Sequence, residues 1–440
     1  MRNLFSSLCL YPKGLLSKSQ ANETLKDSKG ETNITSLPRD VLIKILLLLP
    51  VESLVQLKDV CHYMHRVITS QYFTRLHLKR SRSQSGLICN TLPNHRINPI
   101  SKYISGERYH ASFISFDFND QVTKVNSHGL GLEHCLRALV SKYHIWKYKM
   151  DVRVRDSCDG LLLLEITGDC DLFERTPLLI CNPVTRSYQL LPAPGELAMN
   201  YFYGKIVYDS SKRKYKIIGF ILKLAAAARC FILELPAKPK GELTSWKEIS
   251  IPAFPLSGLR EFGASVSVKG KLYCLMRQYN REAKQMEQGL LSFDVVTEEV
   301  TYTCPILRPL SVWDFEFSSS KKLYQTYCQE GKIEVWVLED FDSLVWSKHH
   351  IIETTCRDDF CTLYMEAHMM RPMVLLDGDD KLIVKHKGDM CVYLKSSKEW
   401  EGLAVDFKRF APFRHWSMAH YEYYVPHVNS LISWNNLEVN

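Results

Sequence analysis

The nine residues Val41-Leu-Ile-Lys-Ile-Leu-Leu-Leu-Leu49 constrain this chain more than any other stretch. They follow Ser36, Pro38 and Asp40: a capping residue, a proline for the first turn, and an acid suited to the positive end of a helix. The run predicts a helix that Pro50 stops. It is apolar nearly all the way round. A surface helix needs only one apolar stripe, so this one must be covered on more than one side. A second helix is predicted from near Glu52-Ser53, with Leu54, Leu57, Val60 and Cys61 at helical spacing. Val67, Ile68, Phe73, Leu76 and Leu78 continue the pattern. The resulting unit, Thr35 to Leu78, is only about 45 residues long and has no disulfide or metal pattern. Units this small rarely bury enough apolar surface alone. A protein partner on the surplus leucine face is the physical implication.

The same residues carry a resemblance. Ser36-Leu-Pro-Arg-Asp-Val-Leu-Ile-Lys-Ile-Leu-Leu-Leu-Leu-Pro-Val-Glu-Ser-Leu54, then Leu57-Lys-Asp-Val-Cys61, resembles an F-box. The match runs from Leu37 to about Ile68, and one departure is Met64, where that family usually carries tryptophan. Methionine still fills an apolar gap, so weaker packing rather than loss of the fold is expected. The resemblance implies docking onto a Skp-type adaptor, which links to a cullin scaffold and a RING subunit. It implies that Leu37, Pro38, Val41, Ile45, Leu46, Leu49 and Pro50 face the adaptor. Leu54, Leu57, Val60 and Cys61 would be shared between the small core and the interface.

From about Gly86 the pattern changes to short β-branched and aromatic runs between turn signals. Examples are Lys205-Ile-Val-Tyr, Tyr215-Lys-Ile-Ile, Cys230-Phe-Ile-Leu and Ile333-Glu-Val-Trp-Val. Asp209-Ser-Ser-Lys, Lys269-Gly-Lys and Asp377-Gly-Asp-Asp fit hairpin turns. Leu132 to Lys147 reads as a helix or a long loop. There is also a weak internal repeat, in which a strand carrying Asp or Asn leads through a polar turn to an aromatic or apolar residue, often followed by a proline. Tyr188, Trp246, Val300, Trp346 and Trp400 mark it at spacings of 46 to 58 residues. Four-stranded propeller blades repeat at about this length. The last strand, near Tyr424 to Ser433, is expected to complete the first blade and close the ring.

Fragments of this region resemble the plant F-box-associated domain: Asp156-Ser-Cys-Asp-Gly-Leu-Leu-Leu163, Ile180-Cys-Asn-Pro-Val-Thr-Arg186, Ile206-Val-Tyr-Asp209 followed by Tyr215-Lys-Ile-Ile218, and Val428-Asn-Ser-Leu-Ile432. The chain has no Gly-Gly doublet, which argues against a regular kelch array.

Chemistry-bearing motifs are sparse. The sequence holds no Gly-x-Ser-x-Gly elbow, phosphate loop, dinucleotide fingerprint or His-Glu-x-x-His helix. His349, His350, Cys356, Cys361 and His368 have zinc-compatible side chains at a spacing that matches no structural zinc site. Asp358-Asp359 and Asp379-Asp380 read as solvated turn acids. His415-Trp416 and His420 fit either a binding surface or blade packing. The 14 cysteines form no framework, and Cys181, Cys230, Cys274 and Cys391 sit in apolar strands, which points to a reducing compartment. The net charge of +8 is spread out, so Lys79-Arg80-Ser81-Arg82 and Lys212-Arg213-Lys214 read as a helix end and a solvated hairpin turn. No run is long enough to span a membrane. The first twenty residues contain Arg2, Lys13, Lys18 and no acid, so a transit peptide is one reading and a disordered leader the other.

The expected architecture is therefore α+β multidomain. A disordered leader (1–32) precedes a small all-α F-box (33–80) and an all-β F-box-associated propeller (86–435) of about six blades, with seven as the alternative. The expected function is a non-catalytic substrate receptor of a Skp–cullin–F-box ubiquitin ligase in the cytoplasm or nucleus. It would need no cofactor, metal or nucleic acid and would bind an unidentified target protein. Alternatives are an F-box scaffold or transcriptional cofactor outside a ligase, and a propeller enzyme.

Overall fold

In the computed structural model the leucine-rich helix runs over Arg39–Leu47 (α1). Pro38 occupies the N-cap position, one residue outside the predicted first turn, and its carbonyl accepts from the Val41 and Leu42 N–H groups, 3.0 Å each. The structure describes residues 37–81, 86–90, 111–117, 124–129, 132, 150–168, 178–192, 201–222, 229–236, 246–251, 259–280, 285–303, 315–319, 321–329, 332–353, 370–376, 381–386, 389–403 and 424–434. The leader, Ser36, all of the 132–147 segment except Leu132, and the 377–380 turn lie outside them. Two units divide the chain, Met1–Arg80 and Ser81–Asn440.

The predicted second helix is three: α2 (Val51–Leu57), α3 (His62–Thr69) and α4 (Gln71–Ser81). Local hydrogen bonds make the breaks. Cys61 Sγ accepts from the Met64 N–H at 3.5 Å and caps α3. Ser70 Oγ accepts from the Phe73 N–H at 3.3 Å at the start of α4. The helices close on Leu42, Leu46, Leu54, Met64, Val67, Ile68 and Phe73, all buried. Met64 thus lies inside despite replacing the family's larger ring. His77, also buried, brings Nε2 to 3.4 Å from the Leu49 carbonyl, and burial lowers its pKa.

The larger unit contains six four-stranded antiparallel sheets among the described residues. The first holds β1 (Gly86–Asn90), β2 (Ala111–Asp117) and β3 (Lys124–Gly129). The second holds β4 (Met150–Cys158), β5 (Leu161–Gly168), β6 (Leu178–Asn182) and β7 (Ser187–Leu191). The third holds β8 (Tyr201–Asp209), β9 (Lys214–Leu222), β10 (Arg229–Glu234) and β11 (Lys247–Ile249). The fourth holds β12 (Leu259–Val268), β13 (Lys271–Asn280), β14 (Gln285–Asp294) and β15 (Val300–Thr303). The fifth holds β16 (Phe315–Ser319), β17 (Lys322–Gln329), β18 (Lys332–Asp340) and β19 (Val345–Glu353). The sixth holds β20 (Met370–Leu376), β21 (Lys381–His386), β22 (Asp389–Leu394) and β23 (Glu399–Leu403). The last strand, β24 (Tyr424–His427), returns to the first sheet, where it pairs antiparallel with β1. It supplies the fourth strand that the sequence pattern requires.

First strands of successive sheets lie side by side: β24 beside β4, β4 beside β8, β12 beside β16, and β16 beside β20. This is the radial order of propeller blades. The cores sit between sheets. Phe220, Cys230 and Ile232 of the third sheet pack with Cys274, Leu291 and Phe293 of the fourth. Tyr273 and Leu275 meet Leu323 and Leu338 of the fifth, whose Tyr324 and Val335 meet Leu382 and Val384 of the sixth. Cys181, Cys230 and Cys274 are fully buried, and burial pushes the Cys274 thiol up to about 12. These thiols therefore act as small apolar side chains.

The sequence repeat has a structural cause. Asn182, Asp294 and Asp340 each end a third strand, and their Oδ1 atoms accept from two N–H groups of the following turn at 2.9–3.4 Å. Four residues on, Arg186, Glu298 and Leu344 take positive φ of 57°, 62° and 55°, which reverses the chain into the fourth strand. Tyr188, Val300, Trp346 and Trp400 then lie on β7, β15, β19 and β23, and Trp246 directly precedes β11. Asp209-Ser-Ser-Lys and Lys269-Gly join β8 to β9 and β12 to β13, as the turn signals predicted.

Polar contacts join neighbouring sheets. Asp156 on β4 accepts from Lys205 Nζ (3.0 Å) and the Ile206 N–H (2.8 Å) on β8. Burial disfavours the Lys205 charge, but the Asp156 carboxylate outweighs this and raises its pKa. Lys216 on β9 is fully buried and meets Asp209 Oδ2 (3.0 Å), Glu298 Oε1 (3.0 Å) and the Val295 carbonyl (2.7 Å).

Candidate functional site

α1 has two faces. Leu42, Ile43 and Leu46 point into the helical unit and are buried, Leu46 at 1% exposure. Val41, Ile45 and Leu48 are 42%, 40% and 64% exposed. Pro38 is exposed as well, and 38, 41, 45 and 48 are spaced three, four and three residues apart, so they form one row along the helix. Leu37 and Leu49 are half-buried and Pro50 is exposed at the start of α2. On the next turns Leu54 is fully buried, Leu57 and Cys61 are half-buried, and Val60 is 44% exposed.

The residues grouped by resemblance therefore divide by geometry. Ile45 and Leu46 are adjacent in sequence and 100° apart on the helix, so one faces out while the other packs inward. Leu46 and Leu54 support the face from below. Leu48, absent from the sequence-based set, is the most exposed apolar side chain of the row. The signal was present: seven residues from Val41 and three from Ile45 is helical spacing. The arrangement supplies shape and apolar area and no reactive group.

This division predicts an asymmetry. Leu54→Ala should cost the helical unit about 3 kcal/mol, as deletion of a buried leucine does. Leu48→Lys should change it by no more than about 0.5 kcal/mol, because the side chain projects outward. Hydrogen exchange of the α1 to α3 amides in the full chain measures both. Equal protection losses in the two variants would contradict the assignment of faces.

In the larger unit the candidate metal cluster does not assemble among the described residues. Cys356, Cys361 and His368 lie outside them, as do Asp358-Asp359, Asp379-Asp380, His415-Trp416 and His420. His349 and His350 on β19 turn to different rings. His349 lies 5.6 Å from Tyr324 and His350 lies 5.3 Å from Tyr393, with burial lowering the His350 pKa. Among the described residues no group of three or more His, Cys, Asp or Glu side chains is placed to hold a metal. No described helix is long and apolar enough to cross a membrane. The Lys212-Arg213 pair is exposed on the β8–β9 turn.

Three of the motif fragments come together instead at one seam. Asn182 Nδ2 donates to the carbonyls of Ser430 (3.1 Å) and Ile432 (2.8 Å). Ser430 Oγ donates to the Asp159 carbonyl at 2.5 Å, and Ser157 Oγ lies 2.7 Å from His427 Nδ1. Trp434, 1% exposed, donates from Nε1 to Gln189 Oε1 at 3.0 Å. The fragments around Gly160, Asn182 and Ser430 thus form the joint between the first and second sheets.

Comparison with known proteins agrees with both units. Residues 34–79 match the F-box-like family, and residues 119–431, well over half the chain, match the F-box associated beta propeller domain. Similar proteins from Arabidopsis thaliana include putative F-box protein At3g52320, 24% identical over 78% of this chain and 77% of its own length. Putative F-box protein At5g52610 is 25% identical over 79% of this chain and 85% of its own. F-box/kelch-repeat protein At3g44120 is 26% identical over 72% and 76%. With an exposed apolar row along α1 of a small helical unit, a series of four-stranded sheets after it in sequence, and a family match across both, the chain belongs to the plant F-box proteins that carry an F-box associated beta propeller domain.

Proposed function

We propose that this chain is the substrate-receptor subunit of a Skp–cullin–F-box ubiquitin ligase. Residues 33–80 dock a Skp-type adaptor, and the 86–435 domain holds a target protein. The observation that carries the reading is the exposed row Pro38, Val41, Ile45 and Leu48 on a unit whose own core already uses Leu42, Leu46 and Leu54. Apolar side chains at regular spacing outside a small closed core mark a partner surface. Leu37, Leu49, Pro50, Leu57, Val60 and Cys61 border it. The chain needs no catalytic residue in this role. Its contribution is proximity: it raises the effective concentration of target lysines near the charged carrier enzyme held by the other subunits.

The test is capture of a purified Skp-type adaptor by the full chain. Wild type binds; Ile45→Asp and the double variant Leu37→Ala/Pro38→Ala weaken binding about 100-fold, the effect of losing an interface anchor. Circular dichroism establishes that the variants stay folded, which the exposure of Ile45 favours. A folded wild-type chain that captures no adaptor sinks the reading and leaves a scaffold outside the ligase.

A further inference from the structure

Cations occur along the whole chain, but the excess that makes up its net charge is concentrated. Between Asp59 and Glu107 the sequence has seven Lys or Arg and no acidic residue, in a chain of net charge +8. Residues 37–59, by contrast, balance Arg39, Lys44 and Lys58 against Asp40, Glu52 and Asp59. The acid-free stretch begins with α3 and α4. Their apolar sides belong to the core, where Met64, Val67, Ile68, Phe73 and Leu78 are buried. On the outside of α4 lie Tyr72, 62% exposed, and the exposed Arg75 and Lys79. They are three and four residues apart, so they form one row. α3 leaves His62, His65 and Arg66 exposed. Arg80 is exposed too, but it and Glu52 act on the buried His77 with opposite sign, so the row is counted without it. Helix-dipole compensation accounts for Lys79 and Arg80 in the last turn of α4. It does not account for Arg75, for the exposed ring beside it, or for first turns of α3 and α4 that hold no acid.

We propose that the outer row of α4, Tyr72, Arg75 and Lys79, docks an acidic extended segment of a partner protein, with Arg66 of α3 adding to the positive field. Four residues of helix advance about 6 Å, and alternate residues of an extended chain lie about 6.6 Å apart. Two acids at alternate positions therefore meet Arg75 and Lys79 in turn, and the Tyr72 ring covers the next side chain. Arginine takes a carboxylate through two parallel hydrogen bonds, and Tyr and Arg are the residue types that anchor protein interfaces. A nucleic acid suits the face less, because stable binding neutralises about six to ten phosphates, more than these cations supply. A membrane surface suits it less as well, because the apolar side of α4 is turned into the core and leaves no apolar face to insert. The row shares no residue with Pro38, Val41, Ile45 and Leu48, so the proposal does not rest on adaptor docking.

The test is fluorescence anisotropy of the full chain with a labelled peptide of about ten residues, alternating Glu and Ser, at low salt. Wild type is expected to bind it. Arg66→Gln/Arg75→Gln/Lys79→Gln should weaken binding about tenfold, the combined effect of three exposed ion pairs, and Arg75→Gln alone about threefold. Lys212→Gln/Arg213→Gln/Lys214→Gln removes the same charge at the β8–β9 turn and should leave binding unchanged. Circular dichroism checks that the variants stay folded, as the exposure of Arg66, Arg75 and Lys79 favours. Equal weakening in the two triple variants would show that bulk charge alone attracts the peptide. Absence of binding by the wild type would show that the row is solvated surface. A duplex oligonucleotide or anionic lipid vesicles that displace the peptide from wild type, and bind the first triple variant more weakly, would assign the row to another class of partner. Each of these three results overturns the proposal, and none involves the adaptor.

Discussion

Gly160→Ala is expected to destabilise the sheet unit by about 4 kcal/mol in urea melts, and Gly270→Ala by about 1 kcal/mol, for the same substitution in the same kind of turn. Both glycines take positive φ, 90° and 79°, in tight first-to-second-strand hairpins. Both substitutions therefore carry the backbone cost of a side chain in the left-handed region. Their surroundings differ. A Cβ at Gly270 meets nothing within 4 Å, whereas at Gly160 it would lie 2.2 Å from Ser430 Oγ and 2.9 Å from the Val428 carbonyl. Neither can yield easily, because Ser430 is held by the Asp159 carbonyl and by Asn182. The clash forces residues 428–430 away from the turn, and the Asn182 hydrogen bonds to the Ser430 and Ile432 carbonyls go with them. Equal losses in the two variants would mean that the seam is loose enough to absorb a methyl group.

Lys216→Met is expected to cost about 3 kcal/mol at neutral pH, with the penalty shrinking as the pH falls from about 4.5 toward 2. Methionine keeps most of the unbranched stem and removes the ammonium group, so the effect is chiefly that of the charge. Its removal takes the cation from the buried Asp209 Oδ2 and, among the described residues, leaves Glu298 paired with the exposed Lys247. Burial pushes the Asp209 carboxyl up, but hydrogen bonds from Ser211 and Lys216 outweigh that and hold it at about 2. Burial likewise raises Glu298, and Lys247 and Lys216 bring it below its ordinary value. Folded-state values below the unfolded ones contribute stability above the ordinary carboxylate value of 3.8, and that contribution is lost as the pH falls through it toward about 2. In acid the wild type loses its ion cluster while the variant has none to lose, so the two melting temperatures converge. A gap that stays constant with pH would assign the cost to packing.

Local patterns made much of this chain legible. Apolar spacing in 41–49 gave a helix, Pro50 its end, and Asx-led turns followed by large apolar residues gave the repeating third-to-fourth-strand hairpin. The single predicted second helix was too long because Cys61 and Ser70 cap new helices through one hydrogen bond each, and neither interrupts the apolar spacing. Lys216 was missed for a related reason. It sits between Tyr215 and Ile217 in a strand buried on both faces, where alternation marks no inward side.

By itself, then, the sequence determined which segments become helix, strand and turn, because those choices depend on residues a few positions apart. It also determined that the helical unit carries more apolar surface than it can bury. Which of those side chains remain outside was decided by tertiary packing, which turned Leu42 and Leu46 inward and left Val41, Ile45 and Leu48 on the surface. The joining of Gly160, Asn182 and Ser430 was likewise a tertiary outcome. These residues are 248 to 271 positions from their partners, and spacing along the chain carries no information about contacts made only when distant sheets pack together.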